Sequence, residues 1–137
     1  MDNTAADDRK YADLRQRTKN FGLRVIRMWK YLPKTTVAQV LGKQLLRSAT
    51  SVAANYRAAC IAKSDADFYH KIKIFQEESD ECILWLEYLI EGEILPEHKL
   101  SALLDEAKQL AAIMTASSLT VHKRLQTIKN QSLITNH

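Results

Sequence analysis

Seven side chains, Phe68, Ile72, Phe75, Ser79, Cys82, Leu86 and Leu89, recur at alternating steps of four and three residues. A helix turns once every 3.6 residues, so this spacing lays all seven along one seam; the two-residue period of a strand would scatter them over both faces. Sustained over about six turns, the pattern demands a long helix buried along one side. A second stripe, Ile74, Glu78, Glu81, Trp85 and Tyr88, runs beside the first.

Three further stretches carry the same spacing: Leu14, Thr18, Phe21, Val25, Met28 and Leu32; Leu45, Ser48, Val52, Tyr56 and Ala59; and Leu100, Leu103, Ala107, Leu110, Met114, Ser117, Val121, Leu125 and Ile128. With only three glycines and two prolines in 137 residues, little interrupts them. No run alternates polar and apolar residues as a half-buried strand would, so the fold class is all-α. The breaks fall between the stripes. Pro33 limits its predecessor to extended backbone and ends the first helix near Leu32. Thr36-Val37-Ala38-Gln39 has the form of a capping box for the second, and Ser64-Asp65-Ala66-Asp67 caps the third, with carboxylates at its positive end. Gly92 and Pro96 bracket the last turn. Short connections predict an antiparallel up-down-up-down four-helix bundle over 9–129, with a flexible N-terminus at 1–8 and a polar, flexible tail at 130–137.

The second helix is unusually slim. Ser48, Ala49, Ala53 and Ala59 carry almost no side chain, so a neighbour can approach its backbone closely. Gly42 in its first turns costs about 1 kcal/mol relative to alanine, which a close contact would explain. Arg47, Ser51 and Asn55 stand beside the seam. A half-buried Arg47 requires a carboxylate, and Glu78 or Glu81 is the candidate; with Ser48 these form an expected structural polar network.

Charge is segregated along the chain. Residues 14–63 hold eleven Lys/Arg and no acid, residues 64–106 hold twelve Asp/Glu against three Lys, and the rest of the chain from 107 has four cations and no acid. Helices of opposite sign must therefore meet, within a subunit or between subunits. Within the stretch 14–63 the cations have no acidic partner at helical spacing. Arg15, Arg17, Lys19, Arg24, Arg27, Lys30, Lys43, Arg57 and Lys63 are the expected contacts to a nucleic acid, bound through its phosphates with little regard to sequence. Residues 83–90 are apolar nearly all round, which predicts that Ile83, Leu84, Trp85, Tyr88 and Ile90 pack in part on another subunit.

No catalytic signature is present. A di-iron bundle site needs paired Glu-x-x-His motifs, and the nearest approach is a lone Asp67-Phe68-Tyr69-His70; Glu78 and Glu81 have no imidazole at the right spacing. His70, His98, His122 and His137 are scattered, and there is no phosphate loop or nucleophile elbow. No enzymatic activity, metal or cofactor is expected. Cys60 and Cys82 read as small buried thiols in a reducing compartment. The apolar run at 83–90 is too short to span a bilayer and residues 1–8 lack a hydrophobic block, so a cytoplasmic location without membrane association is expected.

The string Arg47-Ser48-Ala49-Thr50-Ser51-Val52-Ala53-Ala54-Asn55-Tyr56-Arg57-Ala58-Ala59-Cys60, followed by Ser64, Asp67-Phe68, Glu77-Glu78-Ser79-Asp80-Glu81 and Trp85-Leu86-Glu87, resembles a bacterial four-helix-bundle family. Its members are encoded in intervening sequences of large-subunit ribosomal RNA genes. The likeness runs from the region of Leu23 to about Leu110. Many members carry Ile-Ala-Glu-Gly after the motif asparagine; Tyr56-Arg57-Ala58-Ala59 is similar instead to a branch with Asn-Tyr-Arg-x-Ala-Cys, and a role of the usual glutamate has no counterpart at Ala58. The resemblance implies a homopentameric ring with a basic surface. It also implies kinship with the accessory variability proteins of diversity-generating retroelements, which form similar basic barrels and work with a reverse transcriptase and nucleic acid. Two functions are therefore expected in competition: a non-enzymatic RNA-binding oligomer, or a structural oligomeric scaffold that docks a protein partner such as a reverse transcriptase.

Overall fold

The computed structural model describes residues 3–135, with side chains placed for Arg9 and for 12–135. Met1, Asp2, Asn136 and His137 lie outside the described residues, as do the side chains of the expected flexible stretch 1–8. Four helices, α1 (Asn3–Met28), α2 (Thr36–Cys60), α3 (Asp65–Glu91) and α4 (Glu97–Thr135), account for the fold, and no strand occurs among the described residues.

Each stripe turns inward. Phe21, Val25, Leu45, Val52, Tyr56, Ile72, Phe75, Leu86, Leu89, Leu100 and Leu110 are all buried in one continuous core. Each large apolar side chain so buried contributes about 1.5–3 kcal/mol. Tyr56 and Phe75 meet edge to face with ring centroids 5.7 Å apart. Partner numbers fall along one helix as they rise along the next. Arg47 reaches Glu81 and Tyr56 reaches Phe75 between α2 and α3; Tyr69 meets His122 and Gln76 meets Thr115 between α3 and α4.

Small residues let α1 and α2 close together. A Cβ added at the buried Gly22 would lie 3.8 Å from the Ala49 carbonyl oxygen, so the backbones face each other directly. At Gly42 an added Cβ would collide with Leu32 Cδ1 and approach Trp29 Cζ3 to 3.1 Å, which supplies the reason for a glycine in a helix interior. The chain turns this corner by tightening: α1 gives way to a 3₁₀ turn, Trp29–Tyr31, and Leu32 is extended ahead of Pro33.

Four boundaries differ from the sequence reading, the first being that α1 already begins at Asn3, inside the stretch 1–8. The cap of α2 is Thr35, whose hydroxyl accepts from the Ala38 N–H, and Gln39 donates to the Pro33 carbonyl instead of closing a box with Thr36. Two adjacent threonines offer equal caps, and the tight 3₁₀ corner selects the earlier one. At the end of α3, Gly92 has an ordinary φ of −77°, and it is Glu93, at φ 56°, that takes the left-handed position. The Glu93 N–H bonds the Ile90 carbonyl and the Ile94 N–H bonds the Leu89 carbonyl, the paired closure of a Schellman motif. Finally, α4 continues helical to Thr135, past the expected boundary at 129, because nothing after Pro96 breaks it. Its buried stripe shifts from Ser117 to Ser118, and Ile128 is exposed because α3 begins at Asp65, opposite Arg124.

Candidate nucleic-acid interface

Arg24, Arg27 and Lys30 follow one another at steps of three, and the 3₁₀ turn keeps Lys30 and Tyr31 on the strip that α1 presents toward α4. Together with Lys99 from the first turns of α4 they line a cleft of about 370 Å³, floored by Met28, Leu95 and Leu103. None of the described residues lining it is acidic. Tyr31 stands at this cleft with half its surface exposed (51%), the Lys99 Nζ 4.3 Å and the Lys30 Nζ 5.1 Å from its ring centroid. Each such exposed contact is worth about 0.5–1 kcal/mol, enough to gather two ammonium groups around one ring. The arrangement concentrates positive charge in a concave site, where it attracts anions more strongly than on a flat face.

Of the nine cations expected from the sequence, this site gathers three. Arg15, Lys19, Lys43, Arg57 and Lys63 are exposed but lie outside its lining. Arg17 is engaged elsewhere. Its guanidinium bonds Glu106 of α4 at 2.5 Å and Gln109 at 3.3 Å, and the Glu106 hydrogen bond raises its pKa further. Lys99 and Tyr31 escaped the sequence reading. One signal was available: a lysine in the first turns of α4 opposes the helix dipole and calls for another use.

A second polar group joins α2 and α3. Arg47 bonds Glu78 at 3.3 Å, Glu81 at 3.0 Å, Ser48 Oγ at 3.2 Å and Gln44 Oε1 at 3.3 Å. The Arg47 hydrogen bond holds the Glu81 carboxyl below its ordinary range, whereas burial and the nearby Glu81 push Glu78 up. Ser51 and Asn55 do not join; the Asn55 amide donates to the Ser51 carbonyl within its own helix, at 2.8 Å. Arg47 is about half exposed, and its partners among the described residues are side chains of α2 and α3. The arrangement ties two helices together.

The apolar end of α3 divides. Ile83, Trp85 and Ile90 pack in part against their own core, while Leu84 and Tyr88 point outward, 44% and 52% exposed. Trp85 and Tyr88 lie with ring centroids 6.1 Å apart, and the Trp85 Nε1–H is buried without a hydrogen-bond partner. Val37 and Val40 of α2 are also exposed. No helix among the described residues is long and apolar enough to cross a membrane.

A family model described as 23S rRNA-intervening sequence protein matches residues 10–116, ending inside α4. A crystal structure of a protein of unknown function from the S23 ribosomal protein family of Bacteroides thetaiotaomicron is similar at a TM-score of 0.73 and 29% identity. The likeness covers 80% of this chain and 97% of that one. Comparison with curated proteins gives no match. The matched residues take in the cleft from Arg24 to Lys99 and the Arg47 network, and with a match over most of its length the chain belongs to the 23S rRNA-intervening sequence protein family.

Proposed function

We propose that the protein is a non-enzymatic RNA-binding bundle of up-down-up-down topology that works as an oligomeric ring and grips phosphates with little regard to sequence. The observation that carries this reading is the convergence of Arg24, Arg27, Lys30 and Lys99 on one cleft with no carboxylate among the described residues of its lining. Left alone, four like charges repel one another, and a polyanion relieves that repulsion while releasing its own counterions. Repeated around a ring, such clefts reinforce one another in avidity. Leu84 and Tyr88, the outward part of the apolar end of α3, are the contacts through which copies assemble.

Titration with structured RNA at stepped salt tests the proposal. Four phosphate contacts correspond to a slope of log K against log salt of about −3 to −4, and Arg24→Glu with Arg27→Glu abolishes binding while the native mass stays that of the wild type. Absence of binding at low salt overturns it. A scaffold that docks a protein partner is the competing reading, favoured by the cations already spent within the subunit on Glu106, Glu78 and Glu81. In that case the same double substitution leaves RNA behaviour unchanged and disrupts the particle.

A further inference from the structure

The Tyr31 cleft combines two chemistries, and only one of them is explained by attraction to phosphate. A cation cluster that merely holds a duplex backbone needs no aromatic ring, and bases within a duplex are stacked on one another and unavailable to a side chain. Yet Tyr31 is half exposed at the centre of the cation set, its ring approached by Lys30 and Lys99. The cleft, at about 370 Å³, lies at the small end of ligand-pocket volumes. An open site of this size has room for a single nucleotide.

We propose that this cleft binds an unpaired nucleotide of RNA, its phosphate held by Arg24, Arg27, Lys30 and Lys99 and its base stacked on Tyr31. The inference rests on the RNA-binding reading above and narrows it to single-stranded segments, loops and ends. In the free protein the two ammonium groups share the tyrosine ring. A phosphate entering the cleft makes charge-assisted hydrogen bonds that outweigh exposed cation–π contacts, so it draws the ammonium groups off the ring and bares it for a base. Every base has a π-face, so this mode adds preference for strandedness without adding preference for sequence.

The experiment compares the full chain binding a short oligouridylate with its binding of a blunt RNA duplex of equal strand length, at one fixed salt concentration, by fluorescence anisotropy. The expected result is tighter binding of the single strand. Tyr31→Ala weakens it by about 5- to 150-fold and leaves the duplex within about 2-fold, and Tyr31→Phe, which keeps the ring, restores wild-type affinity. Equal affinity of the wild type for both probes, with Arg24→Glu and Arg27→Glu abolishing both, overturns the inference and leaves the RNA-binding reading standing. Failure to bind either probe at low salt removes the two together. The wild-type ratio decides the matter even if the alanine variant fails to fold.

Discussion

Glu78 and Glu81 compete for the single guanidinium of Arg47, and their opposite displacements follow from that competition. The depressed Glu81 contributes stability that is present above its unfolded pKa and is lost as pH falls through its folded one. The raised Glu78 acts in the other sense: its ionisation costs stability above its folded pKa, and the cost is gone below the unfolded value. Mild acidification from neutral therefore relieves Glu78 before it harms Glu81. Because Arg47 is half exposed and solvent screens the pair, the scale is that of a surface ion pair. Glu81→Gln is expected to cost about 0.5–1 kcal/mol at neutral pH, whereas Glu78→Gln should leave stability unchanged or raise it by less than about 0.5 kcal/mol, read from urea unfolding midpoints across the acidic range. Glu93 offers a gain. Its φ of 56° suits glycine, so Glu93→Gly should stabilise by about 1 kcal/mol, seen as a raised midpoint with unchanged slope. The buried Cys82 thiol is pushed up to about 12, by burial first and by Glu78 and Glu81 second. An alkylating reagent at neutral pH should modify the half-buried Cys60 in the native protein and reach Cys82 only after denaturation, as peptide mass analysis would show.

Among the elements, the corner between α1 and α2 is the most specified. Thr35→Ala should cost about 1 kcal/mol, and Thr36→Ala much less, since only the Thr35 hydroxyl accepts the Ala38 N–H. Gly42→Val should cost about 2–3 kcal/mol by pushing a branched side chain into Leu32 and Trp29; thermal or urea melts of the three variants give the ranking. The seams of α1, α2 and α3, and that of α4 as far as Met114, were legible in the sequence because each is written in one helix, as with Phe75, Cys82 and Leu86. The partners of Arg47 were legible too, because slim residues beside a crowded run of acids leave few choices. What the sequence hid was long-range or degenerate. Nothing local to Arg17 says that Glu106 will take it out of the basic face, and nothing local to Tyr31 says that Lys99 will arrive above it. The choice between Thr35 and Thr36 is settled by a 3₁₀ turn whose hydrogen bond, from the Leu32 N–H to the Trp29 carbonyl, leaves no mark in a hydrophobic pattern.

At the scale of the whole molecule, the helices are unequal in length. At 1.5 Å per residue α3 spans about 40 Å and α4 about 58 Å, and the excess lies past the Arg124–Asp65 ion pair, where every residue from Gln126 to Thr135 is exposed. This stretch buries nothing, so a chain ending at Gln126 should unfold within about 0.5 kcal/mol of the intact one, and the amides of 127–135 in the intact chain should exchange with solvent far faster than those of Leu100 to Met114. The projection also makes the bundle unlike at its two ends. A rod standing about 15 Å off one end is exposed all round, while Tyr31, beside Leu95 and Lys99 at the start of α4, lies at the other.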